Sequence, residues 1–179
     1  MRYFIIKRKD SYKPQIVLPY SIKEQLDITS GKIDEIDRVA VWKVKESNFT
    51  FYSDILTEPT LLLSSRARNI LQLYDAKMAF KQIILFGRET ETVMQYYLPL
   101  LPDINGNQKE KNQVRISRKD GAILKKAPIV KLRIKKNQYF LASMELVESF
   151  LKNRLSGIDI TAVDVVWDEE ILVYEKHMR

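Results

Sequence analysis

The chain has 179 residues, 45% hydrophobic and 30% charged, with a formal net charge of +7. That length suits one domain, which can bury roughly two-thirds of its unfolded-chain surface without a covalent staple. With no cysteine, five glycines and six prolines, it excludes a disulfide framework, thiolate chemistry and long flexible linkers.

The first residues carry only four apolar side chains in a row, Tyr3 to Ile6. That is too short for a signal core, and no run approaches the ~18 residues of a membrane span. A cytoplasmic location without membrane contact is expected.

Tyr3 to Ile6 reads as a first strand. Pro14 and Pro19 bracket a short extended piece. Ser21 to Leu26 fits one Ser-capped helical turn, and 29–32 a loop. Val39 to Val44 is a strand by alternation, with Phe49 to Tyr52 as its expected hairpin partner. Thr60 to Leu63 is a short buried strand, followed by a helix capped by Ser64 or Ser65. Its apolar stripe is Ala67, Ile70, Leu71, Tyr74 and Met78. Gln82 to Phe86 is the next strand, and 93–101 is extended.

Residues 103–112 are polar and turn-rich and are expected to form an exposed loop. If the domain has two lobes, this loop separates 1–104 from 113–179. Val114 to Ser117 and Ile123-Leu124 flank Lys119-Asp120-Gly121, which predicts a hairpin turn. In Val130 to Lys135 apolar and basic residues alternate, so one face is expected in the core and three cations in solvent. Tyr139 to Leu141 leads to Ser143, a helix cap. The helix places Leu146, Val147, Phe150, Leu151 and Leu155 on one face, and Gly157 is expected to stop it. Ile158, Ile160 and Ala162 alternate, then Val163, Val165 and Trp167 in the opposite phase, which predicts a bulge near Ala162. Asp168-Glu169-Glu170 is a turn and Ile171 to Tyr174 a last strand. Segments 60–86 and 139–162 share one plan: strand, Ser cap, amphipathic helix, strand. The fold class expected is α+β, with antiparallel or mixed sheets and two main helices.

No reaction centre is visible. His177, the only histidine, lies three residues from the end. The carboxylate clusters 34–37 and 168–170 lack calcium-loop spacing. Ser64, Ser65 and Ser143 are explained as caps, and no phosphate-binding glycine loop occurs. No enzyme activity, cofactor or metal is therefore expected. The surface signal is electrostatic. Residues 109–136 hold eleven Lys or Arg against Glu110 and Asp120, a local excess of +9 that leaves the rest at −2. Arg115, Arg118, Lys119, Lys125, Lys126, Lys131, Arg133 and Lys135 form the expected partner-binding patch. It suits an acidic protein surface or, as the alternative, nucleic-acid phosphates. Aromatic residues interleaved with the cations, as in a base-stacking platform, are missing.

The stretch from Pro-Ile-Val-Lys-Leu at 128–132, through Phe-Leu-Ala-Ser at 140–143, to Leu-Ser-Gly-Ile-Asp-Ile at 155–160 resembles a family. It looks like the C-terminal signature of bacterial polymorphic-toxin immunity proteins of immunity family eleven or a relative, formerly a domain of unknown function. Leu-Leu-Leu-Ser-Ser-Arg-Ala-Arg-Asn-Ile-Leu at 61–71 and Tyr-Tyr-Leu-Pro-Leu-Leu at 96–101 resemble its preceding elements, so that about half the chain is covered. The resemblance implies a non-enzymatic cytoplasmic protein that neutralises a cognate toxin by binding it. Immunity proteins against nucleases are often acidic mimics of nucleic acid. A chain of +7 departs from that pattern and suits a toxin with an acidic face.

Overall fold

The computed structural model describes residues 2–8, 15–17, 36–45, 50–110 and 112–167. The predicted helical turn at 21–26, the loop at 29–32, the turn and strand at 168–174, and His177 lie outside them. The architecture is α+β, built from two sheets and, among the described residues, three helices.

The first sheet is a closed six-stranded barrel, ordered β1-β11-β10-β8-β9-β12. Its strands are β1 (Arg2–Arg8), β8 (Asp103–Glu110), β9 (Gln113–Ile116), β10 (Ile129–Ile134), β11 (Asn137–Ala142) and β12 (Ile158–Trp167). Closure leaves no unpaired edge. Tyr3, Ile5, Ile104, Val114, Leu132, Leu141, Val163 and Val165 fill the interior.

The second sheet is ordered β2-β3-β6-β7-β5-β4. It comprises β2 (Gln15–Val17), β3 (Val39–Lys45), β4 (Ile55–Leu56), β5 (Leu62–Leu63), β6 (Phe80–Gly87) and β7 (Thr92–Pro99). Trp42, Val44, Ile83, Leu85, Tyr96 and Leu98 pack together on one of its faces. Because all its strands fall between β1 and β8, this sheet is an insertion into the barrel.

A third core joins the two sheets. Helix α1 (Ser65–Tyr74) and helix α3 (Met144–Lys152) bury Ala67, Ile70 and Leu71 against Leu146, Val147 and Phe150. Ser64 Oγ accepts from Ala67 N at 3.2 Å and Ser143 Oγ from Leu146 N at 3.4 Å, so both predicted caps are present. The architectural echo extends to topology. β5 and β6 both pair antiparallel with β7, which lies between them. β11 and β12 flank β1 in the same way. Each helix thus connects two parallel strands across an antiparallel third, and the two units meet helix to helix.

Five local expectations are corrected. Residues 103–110 form strand β8, not an exposed loop. Its polarity follows from a strand with one inward apolar side chain, Ile104, and from Gly106, where an added Cβ would lie 2.9 Å from Leu132 Cδ1. The expected hairpin at 117–124 is helix α2 (Arg118–Leu124), capped by Ser117 Oγ accepting from Asp120 N at 3.0 Å. Gly121 sits inside α2 because the Trp167 ring lies against it; a Cβ there would be 2.3 Å from Cζ3. Residues 50–53 form no strand, and β3 instead pairs with β2 and β6.

Helix α3 ends at Lys152, with Asn153 as C-cap and Arg154 at positive φ. Gly157 (φ 89°) serves the next loop, where a Cβ would lie 2.3 Å from the Ile55 carbonyl oxygen. The expected bulge near Ala162 is absent, since β12 keeps an unbroken register with β1 from Ile158 to Asp164. Its phase changes because Ile158 and Ile160 face the helix layer while Val163 and Val165 face the barrel interior. Opposite faces are buried at opposite ends of one regular strand.

Candidate functional site

The predicted basic patch does not form one surface. The outward face of β10 was expected to show three cations to solvent, but Lys131 is only 3% exposed. Its Nζ lies 3.7 Å from Asp103 Oδ2, and Arg133 Nε donates to the same oxygen at 2.7 Å. The parallel pairing of β8 with β10, which sets Asp103 opposite Lys131, makes this cluster. Burial pushes the Lys131 ammonium below the usual lysine range; Asp103 opposes that shift and Arg133 adds to it. These residues hold the barrel wall. Lys135 is exposed at the far end of the strand, in the left-handed conformation of the β10–β11 turn.

Arg115 is half-buried on β9, and Arg118 and Lys119 are exposed at the start of α2. Lys125 and Lys126 lie beyond the other end of α2, and Lys125 Nζ sits 5.2 Å from the Trp167 ring centroid. Lys125 and Lys126 line a cavity. It is an open cleft of about 460 Å³ between β1, α2 and the start of α3, which Arg2 and Glu145 also line. Sequence reasoning missed Arg2, because its place depends on the pairing of β1 with β12 across more than 150 residues.

A different surface stands out on the second sheet. The face opposite Trp42 and Leu85 is met by α1 at β5 and β7, and toward β2 it carries exposed side chains. Register places three cross-strand rows on it: Val39–Gln82–Tyr97, Val41–Ile84–Gln95 and Lys43–Phe86–Val93. Val17 lies opposite Lys43 and extends the last row. Val41 and Val93 are each 62% exposed, and Val17 and Val39 each 51%. Together with exposed Phe86 and half-buried Ile84 they form a continuous apolar patch. Scattered apolar residues on a surface are ordinary, whereas a contiguous group is not. Among the strand positions of this face, the only charged residues are Lys43 and Lys45. The alternation of β3 was legible in the sequence, but not that both its faces would be apolar neighbourhoods.

The first row ends in a cavity of about 240 Å³ lined by Arg38, Val39, Arg68, Gln72, Phe80, Gln82 and Tyr97. The Arg68 guanidinium carbon lies 4.1 Å from the Tyr97 ring centroid. Arg68 Nη2 donates to Asn69 Oδ1 at 2.9 Å, a neutral acceptor.

A fourth polar site ties the two sheets together. Ser156 N and Ser156 Oγ both donate to Asp54 Oδ2 at 2.9 Å, and Ser64 Oγ donates to Asp54 Oδ1 at 3.0 Å. Burial raises the Asp54 carboxyl, but the bonds from Ser156 and Ser64 and the Arg66 charge outweigh it and hold the group below its ordinary value. Satisfied in this way, Asp54 is a structural clamp.

Among the described residues no group of three or more His, Asp or Glu side chains could hold a metal. No helix there is long and apolar enough to cross a membrane. Comparison with protein-family models finds no match, and comparison with curated proteins finds none. The fold thus defines a class by architecture: a mixed six-stranded barrel carrying an inserted six-stranded sheet.

Proposed function

We propose that this chain is a non-enzymatic protein-binding module of the immunity type, which neutralises a cognate bacterial toxin by covering part of its surface. The observation that carries the reading is the open apolar face of the inserted sheet. Val17, Val39, Val41, Phe86 and Val93 stand exposed there on a rigid, hydrogen-bonded frame. Protein interfaces are organised in this way, with an apolar centre and a polar rim. The rim carries Lys43 and Lys45 on the β3 side and the exposed Glu89 and Glu91 in the β6–β7 turn, so the part of the partner's rim that faces β3 is acidic. A second copy of this chain would set those lysines against their own kind. The sequence resemblance to immunity proteins supports the same reading from a separate direction, and so does the dispersal of the basic residues. Nucleic-acid binding needs a continuous track of cations, and Lys131 is withdrawn from any such track.

The test is titration calorimetry against the product of a toxin-like reading frame found beside this gene, and the absence of any such frame counts against the reading. A one-to-one complex is expected, and Val41→Asp should weaken it by about tenfold or more. Absence of binding, or a complex indifferent to Val41→Asp, would overturn the reading. Salt-dependent capture of a labelled oligonucleotide would replace it with the nucleic-acid alternative, and concentration-dependent sedimentation as a dimer with self-association.

A further inference from the structure

We infer that the cavity at the end of the open face is a carboxylate-binding subsite, which receives an acidic side chain of the protein partner. The inference deepens the protein-binding reading above and rests on it for the source of the carboxylate. Its chemistry can be tested alone.

Two arginines, Arg38 and Arg68, border the cavity. Among the described residues neither has a carboxylate within ion-pair distance. Arg68 is already ordered, stacked on Tyr97 and held by Asn69. Its guanidinium therefore loses little further freedom on binding an anion. Val39 and Phe80 form apolar walls, which reduce the water around an anion seated there. Gln72 and Gln82 add side-chain amides able to donate. A volume of about 240 Å³ admits one side chain and little more.

Location supplies the second argument. Val39, Gln82 and Tyr97 form the cross-strand row next to Val41–Ile84–Gln95. Successive same-face positions on a strand are about 7 Å apart. A partner that places apolar side chains on Val41 and Phe86 therefore brings a flanking residue over the cavity. The lysines of the same face add a cationic field with no acidic strand residue to cancel it. A fixed, half-buried Arg68 beside an apolar centre, with the exposed Arg38 next to it, is the arrangement that selects a carboxylate and rejects its amide.

The probe is glutarate, with uncharged glutaramide as control, followed by NMR on the full chain. Glutarate should shift the Nε–H signals of Arg38 and Arg68 and the side-chain amides of Gln72 and Gln82, and the shifts should saturate. Glutaramide should leave them in place. Arg38→Gln and Arg68→Gln should each reduce glutarate affinity by about tenfold with the thermal midpoint unchanged. Equal shifts at the exposed Arg66 and Arg154, or none at the cavity, would overturn the subsite. The partner experiment separates the two readings. If Val41→Asp abolishes the complex and Arg38→Gln with Arg68→Gln does not weaken it, the subsite fails and the docking face stands. If glutarate binds and Val41→Asp has no effect on the complex, the docking face fails and a small-anion site remains.

Discussion

The barrel and the inserted sheet each have six strands, yet they use them in opposite ways. The barrel closes on itself, fills its interior, and lays half of its outer wall against the helix layer. Even the cations of β10 are drawn into that wall by Asp103. Among the described residues the inserted sheet has two edge strands, β2 and β4, and carries exposed apolar side chains on part of one face. Closed sheets have spent their apolar surface on stability, while an open one retains some for a partner. The basic residues expected to bind a partner lie on the barrel side, whereas the exposed apolar face lies on the inserted sheet.

Substitutions can break or sharpen this contrast. The largest effect is expected in the barrel wall. Asp103→Ala leaves Lys131 buried without its counter-charge and should cost roughly 3–5 kcal/mol by denaturant unfolding. Lys131→Met removes the buried charge itself and should be neutral or stabilising. A large loss from Lys131→Met would show that the ion cluster is a net stabiliser. Leu132→Ala, which opens a cavity inside the barrel, should cost roughly 2–5 kcal/mol.

The clamp between the sheets comes next. Asp54→Asn should lower stability by about 2 kcal/mol, since it exchanges charge-assisted hydrogen bonds for weaker ones. The folded Asp54 carboxyl lies below its unfolded value. Its contribution is therefore complete above the unfolded pKa of about 3.9 and is lost as pH falls through the folded one. Between neutral pH and about pH 3 the parent protein should lose more stability than Asp54→Asn, as thermal melting at stepped pH would record. Parallel pH curves would mean that the carboxylate carries no differential charge.

The smallest effect belongs to the open face. Val41→Asp should change stability by no more than about 0.5 kcal/mol. A loss comparable to that of Leu132→Ala would show that Val41 serves the fold and not a partner.

Much of the fold was legible because local signals agreed with tertiary ones. Ser64 and Ser143 are caps, and Ala67, Ile70 and Leu71 of α1 and Leu146, Val147 and Phe150 of α3 face the core, whereas Tyr74 and Leu151 of the expected stripes are exposed and Met78 and Leu155 lie beyond the helix ends. The shared plan of 60–86 and 139–162 is a true topological echo. The failures share one cause. Gly106, Gly121 and Gly157 were assigned from local turn chemistry or not at all, while each is set by a distant contact: Leu132, Trp167, and the loop at Ser53–Ile55. Lys131 alternates as a surface residue does, and only the distant Asp103 explains its burial. The candidate site was less legible still. Arg38, Arg68 and Tyr97 lie in three separate segments, and no spacing in the chain announces that a parallel pairing of β3 with β6 brings them together.

The position of β1 has a consequence for how the molecule is made. Of the described strands this one is synthesised before the others, but it pairs with β11 and β12, near the end of the described residues. At ribosomal rates of about 5–20 residues per second, β1 waits roughly 7–30 s for its neighbours. The inserted sheet emerges during that interval, and its strands pair among themselves. Its exposed apolar side chains are therefore presented before the barrel can close. Barrel closure is then the last event of assembly. Pulse proteolysis of stalled chains in which Leu101 is followed by a flexible linker long enough to clear the ribosomal tunnel should find the inserted sheet protected and β1 cleaved; cleavage of both would place the whole of folding after the barrel strands are made.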